Sequence, residues 1–131
     1  MNILFSILFM IFLVIWFPYF LKTYHLKTIS KNDLPELGQW VKLSEGNIYY
    51  RWYRPEATSK DETIVLVHGF STPSFVWKGL LNRLMESGYN VLVYDHYGRG
   101  FSERPKIKYS KDLYVETLKE LLDSQSVSSP V

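Results

Sequence analysis

The sequence predicts an α/β fold whose parallel sheet is only begun, preceded by one transmembrane helix. Three observations carry this. Residues 63–67 (Thr-Ile-Val-Leu-Val) form a continuous β-branched, apolar run of the kind found in strands buried on both faces. Residues 90–94 repeat that character after a segment of helical periodicity, as in a strand–helix–strand unit. At the N-terminus, residues 3–21 are apolar or aromatic except for Ser6 and Pro18. As a helix that stretch spans about 28 Å, close to the hydrocarbon core of a bilayer.

The remaining elements follow in order. Trp16, Phe17, Tyr19 and Phe20 gather at the far end of the apolar stretch, where an aromatic belt sits, with Pro18 in the last turn and Lys22 directly after. A cleaved signal peptide needs a basic leader and a small-residue cleavage site, and no alanine precedes Ala57. An uncleaved anchor over residues 1–21 is therefore expected. Lys22, Lys27 and Lys31 follow the span and nothing basic precedes it, which places the rest of the chain in the cytoplasm as a single-pass membrane protein. Residues 22–38 are polar and irregular, with an Asn-Asp-Leu-Pro turn at 32–35, and read as a juxtamembrane linker. The third part is residues 39–131. Residues 40–43 and 48–53 flank Ser-Glu-Gly-Asn as a hairpin, and 55–62 is a polar loop. Residues 75–87 carry Trp77, Leu80, Leu81, Leu84 and Met85 at helical spacing, stopped by Gly88. Ser110 caps a helix over 111–124 with Tyr114, Leu118, Leu121 and Leu122 on one face.

Composition removes several classes of function. The 131 residues are 47% hydrophobic, too apolar for disorder. Lys+Arg 15 against Asp+Glu 13 gives a net charge of +2 and no basic stripe, so no nucleic-acid partner is expected. The absence of cysteine excludes disulfides, thiolate metal sites and a cysteine nucleophile. His25, His68 and His96 have no partners at metal-ligand spacing, so neither metal nor cofactor is expected.

Two turns carry the chemistry. The first, His68-Gly69-Phe70-Ser71, ends a buried strand, where open α/β sheets bind their ligands. Glycine there permits a sharp turn and frees the next N–H groups to face a pocket, where an amide stabilises an oxyanion without reorganisation. The plain alternative is a strand-to-loop turn with His68 bonded to backbone. The second turn runs from Asp95 through Gly98, Gly100 and Ser102 to Arg104-Pro105. A dinucleotide loop fails on spacing, since Glu103 stands at the third glycine position and Pro105 blocks an immediate helix. A phosphate loop fails for want of G-x-x-x-x-G-K-[ST]. What remains is a tight turn with glycines at positive φ and Asp95 tying up free amides.

Together the turns resemble the N-terminal part of the α/β-hydrolase fold, the serine hydrolases of lipase and esterase type. That family's pattern is a strand ending in His-Gly, a helix, then a strand ending in Asp-x-x-Gly-x-Gly-x-Ser, often with Arg-Pro after it. Residues 63–69 and 94–105 match it throughout, and the resemblance covers about 39–131. It implies that the Phe70 amide is an oxyanion donor, with Ser71 the less favoured choice. It also implies that His68, Gly69, Asp95, Gly98, Gly100 and Ser102 are structural, His68 not being the catalytic base nor Asp95 the triad acid.

The family nucleophile sits on a G-x-S-x-G elbow, and none occurs in these residues. Truncation is therefore expected, with nucleophile, acid and base lying beyond Val131, no activity from the chain as it stands, and an open edge at strand 63–67. The implied parent is a membrane-anchored hydrolase of lipid-like esters, of monoacylglycerol or lysophospholipid type, working by a Ser-His-Asp mechanism on a small ester at the bilayer. Epoxide, haloalkane and C–C bond hydrolases share the same front end. Two non-enzymatic readings stand beside these: a membrane protein using a hydrolase remnant as a binding module, and an unrelated small α/β binding protein.

Overall fold

In the computed structural model the described residues are 3–24, 32, 34–35, 38–55 and 62–127. The expected linker, with His25, Lys27 and Lys31, falls mostly outside them, as do most of the polar loop at 55–62 and residues 128–131. The chain divides into two compact units, Met1–Lys31 and Asn32–Val131.

The first unit holds helix α1, Ile3–Tyr24. Its 22 residues are long and apolar enough to cross a membrane, and none is buried. The helix runs past the expected end at residue 21, so Pro18 lies inside it rather than in its last turn. In its last turn Thr23 donates its hydroxyl to Tyr19 O and Phe20 O. Phe12–Trp16, Trp16–Tyr19 and Phe20–Tyr24 ring contacts line its later turns, at the i, i+3 and i, i+4 spacings that bring helical side chains together.

The second unit is a four-stranded mixed sheet with a helix on each face. The elements are β1 (Gln39–Leu43), β2 (Gly46–Tyr53), β3 (Thr63–Leu66), α2 (Lys78–Glu86), β4 (Asn90–Tyr94) and α3 (Lys111–Ser124). The sheet order is β1-β2-β4-β3. β1 and β2 form the hairpin, with Leu43 opposite Gly46, and β2 lies antiparallel to β4. β3 runs parallel to β4 with Thr63 opposite Asn90, so α2 is a crossover between them. Among the described residues β3 is paired on one side only.

Alternation along β4 divides the core. Leu92 and Tyr94 join Leu43, Ile48, Tyr50, Tyr97 and Leu121 on the α3 face. Val91 and Val93 join Leu66 and Leu81 on the α2 face. This is the period of two that a twice-covered strand requires. The segment expected as one helix over 75–87 begins instead as a 3-10 turn, Ser74–Trp77, before α2. Leu80, expected on the packed face, is exposed, because only Leu81 of this helix is fully covered by the sheet. α3 starts as expected, with Ser110 Oγ accepting from Leu113 N–H at 3.3 Å.

Candidate functional site

β3 and β4 are parallel neighbours, so the turns that follow them emerge side by side at one end of the sheet. Two bonds between His68 and His96 help join them. His96 N–H donates to His68 Nε2 at 2.9 Å, and His96 Nε2 faces His68 O at 3.1 Å. The first bond fixes a tautomer. With Nε2 of His68 accepting, its proton sits on Nδ1, which faces Gly69 O at 2.6 Å and donates to it. The two rings meet edge-on at 4.5 Å.

Asp95 organises the second turn from within. Its buried carboxylate accepts from Ser74 N–H at 2.7 Å through Oδ1 and from Phe101 N–H at 3.0 Å through Oδ2. Ser102 adds a further tie, donating its hydroxyl to Asp95 O at 2.5 Å and accepting from Tyr49 N–H at 2.8 Å. The loop is thereby fastened to β2, to the start of the α2 segment and to itself. Gly98 and Gly100 have φ of 77° and 46°. A Cβ on Gly100 would overlap the Asp95 carboxylate, so both conformation and space demand glycine there. Glu103, which stands where a dinucleotide loop would need glycine, ties the same loop to the hairpin. Its Oε2 accepts from Asn47 N–H at 2.7 Å and from Asn47 Nδ2 at 3.0 Å.

The first turn is held more lightly and left open. A Cβ on Gly69 would meet nothing within 4 Å and its φ is not left-handed, so a sharp turn is not what calls for glycine at this point. Phe70 is 75% exposed. In a trans peptide the carbonyl and the N–H point opposite ways. His68 Nδ1–H holds Gly69 O, so the Phe70 N–H faces away from the His68 ring, and no acceptor among the described residues meets it. Among the described residues Ser71 Oγ reaches only Thr72 Oγ1, at 3.3 Å.

Sequence reasoning missed Arg99. Its Nε donates to Phe70 O and its guanidinium lies 4.5 Å from the Phe70 ring centroid. The cation between two glycines was visible, but nothing in the sequence tied it to a residue 29 positions away. On the α2 face, a cavity of about 700 Å³ is lined by Tyr49, Arg51, Tyr53, Phe75, Lys78 and Phe101. Phe70 and Ser71 do not line it. Among the described residues no three His, Cys, Asp or Glu side chains gather to hold a metal.

His96 is the strongly perturbed histidine among the described residues. Burial, then the neighbouring His68, push its pKa down to about 4, and its Nδ1 is buried without a partner among those residues. An unfolded histidine takes up a proton near pH 6.5, whereas His96 stays neutral until about pH 4 in the fold. Its contribution is therefore complete above pH 6.5 and lost as pH falls from there toward 4. Urea midpoints of the chain should drop across that window, and His96→Gln, which keeps a donor toward His68 O, should flatten the drop.

Comparison with known proteins decides the family. The model described as serine aminopeptidase, S33, matches residues 58–129, more than half of the chain. The chain belongs to this α/β-hydrolase family. It is 35% identical over 77 residues to an uncharacterized hydrolase of Saccharomyces cerevisiae, covering 58% of this chain and 26% of that one. It is 38% identical over 93 residues to a proline iminopeptidase of Saccharolobus solfataricus, covering 64% and 29%. The chain thus spans between a quarter and a third of these relatives' length. Its fold matches an esterase from Exiguobacterium antarcticum with a TM-score of 0.64 at 21% identity, over 72% of this chain and 34% of that one. A bromoperoxidase from Bacillus anthracis gives 0.62 at 26% identity, over 71% and 33%.

Proposed function

We propose that this chain provides the membrane anchor and the oxyanion turn of an α/β hydrolase that cleaves lipid-like esters at a bilayer surface. The observation that carries the reading is the Phe70 N–H. His68 sets the plane of its peptide, and no protein acceptor among the described residues consumes it. An aimed, unspent amide costs no reorganisation when negative charge develops on a carbonyl oxygen, which is the requirement for stabilising a tetrahedral acyl-transfer intermediate. Ser71 N–H is the secondary candidate. His68, Asp95, Gly98, Gly100 and Ser102 act by fixing the turns. The nucleophile, its base and its acid are supplied by other residues of the working enzyme, in the Ser-His-Asp manner.

Preference for lipid-like substrates rests on α1, an apolar helix with Trp16, Tyr19 and Lys22 toward its end. An enzyme held at the bilayer meets monoacylglycerols and lysophospholipids at high local concentration. The lysine at that end favours a cytoplasmic hydrolase unit on a single-pass anchor. The test is hydrolysis by the native membrane-bound protein. Release of fatty acid from monoacylglycerol, with no turnover of an epoxide or haloalkane, is the expected result. A serine-directed fluorophosphonate should leave Ser71 and Ser102 unlabelled, and labelling at either would overturn the roles given to both turns.

A further inference from the structure

The turn after β3 contains two successive peptide planes, and each is held by a different side chain. The Gly69–Phe70 plane is held by His68. We infer that Arg99 is a positioning residue that holds the second plane, Phe70–Ser71, and thereby aims the Ser71 N–H outward beside that of Phe70. Its functional meaning rests on the oxyanion reading above; the clamp itself does not.

Arg99 Nε donates to Phe70 O. In a planar trans peptide, fixing that oxygen directs the Ser71 N–H away from the guanidinium. No acceptor for this N–H is found among the described residues. The same guanidinium lies against the Phe70 ring at 4.5 Å, so ring and carbonyl are gripped together. Arg99 is itself anchored to the second turn. Its Nη1 donates to Gly98 O at 3.0 Å, its N–H to His96 O at 3.0 Å, and its carbonyl accepts from Ser102 N–H at 3.0 Å. Both planes are thus referred to the rigid loop after β4, one through His68 and His96, the other through Arg99. On the oxyanion reading, a fixed Ser71 N–H is then available as the secondary donor of this turn. Lysine offers a point charge without the planar fork, so it cannot bond Phe70 O, bond Gly98 O and stack on the ring at once.

The test uses the whole 131-residue chain, labelled with ¹⁵N, in lipid nanodiscs, comparing it with Arg99→Lys by amide relaxation. In the unsubstituted chain the Ser71 amide should show an order parameter near that of rigid backbone, roughly 0.85, and in Arg99→Lys it should fall below roughly 0.6. The Phe101 amide, held by Asp95, and the Ser102 amide, held by Arg99 O, should keep theirs and report an intact loop. The Arg99 Nε–H resonance should carry a ring-current shift that Phe70→Leu removes. Retained order at Ser71 in Arg99→Lys would overturn the clamp, as would an equal loss at Phe101 and Ser102. A kcat measurement on the native membrane-bound enzyme separates the two ideas. A fall of roughly tenfold in Arg99→Lys with little change in KM supports both, while lost order with unchanged kcat upholds the clamp and removes the Ser71 N–H from the oxyanion site, leaving the Phe70 amide, held by His68, as the donor of this turn.

Discussion

Replacing Asp95 by alanine is expected to remove about 3–5 kcal/mol of stability. The carboxylate is 1% exposed and accepts two backbone N–H groups, from Ser74 and Phe101. Hydrogen bonds to an ionised group contribute about 1.5–3 kcal/mol each, and both donors would be left without an acceptor. Asparagine is the informative comparison. It matches the shape but can accept through only one oxygen, and its amide would face the other N–H donor to donor. Asp95→Asn should therefore lose roughly half as much. Urea denaturation of the two variants, read at the midpoint with unchanged slope, measures both values.

Gly100→Ala is expected to be nearly as damaging, by about 2–4 kcal/mol, for a steric reason. The residue sits at φ 46°, in the left-handed region, where a Cβ adds about 1–2 kcal/mol of strain. That Cβ would also overlap the Asp95 carboxylate and force it off Phe101 N–H. Because the two residues share one staple, their effects should not add. The double variant Asp95→Ala, Gly100→Ala should be more stable than the sum of the single losses predicts, by about 1 kcal/mol or more. Strict additivity would mean that the alanine methyl finds another path and the carboxylate stays in place.

The contrast between these residues and their neighbours shows what a sequence makes legible. Strand β4 was readable because a doubly covered strand has to be apolar throughout, and α3 because Ser110 caps an amphipathic run; β3 carried the same signal as β4, yet it ends at Leu66, the one buried residue of that strand, and Val67 is exposed. The loop after β4 was readable for a similar reason: left-handed φ admits little but glycine, and a carboxylate beside spaced glycines is how such loops satisfy their amides. Less visible were features whose cause lies in a distant partner. Thr117 is buried in α3 although polar, since its hydroxyl is satisfied within the helix by Leu113 O at 2.7 Å. The 3-10 start at Ser74–Trp77 is fastened at its first residue by Asp95, which accepts from the Ser74 N–H across 21 positions of sequence. The apolar span ended at residue 21, before Lys22, but the helix runs on to Tyr24 and leaves Pro18 in its interior. At the candidate site, Phe70 could be named from the His-Gly pattern, but the planes that aim its amide and that of Ser71 depend on His96 and Arg99, which only folding brings alongside.

One substitution isolates the amide on which the functional reading depends. Phenyllactic acid placed at position 70 replaces the Phe70 N–H by an ester oxygen and leaves the ring untouched. Introduced into the native membrane-bound protein, it should lower kcat for monoacylglycerol hydrolysis by roughly 10²–10³-fold, as expected for removal of one oxyanion donor, with KM little changed. A kcat within twofold of the unsubstituted protein, or no ester hydrolysis by the unsubstituted protein itself, would contradict the assignment of this turn as the oxyanion site of an ester hydrolase.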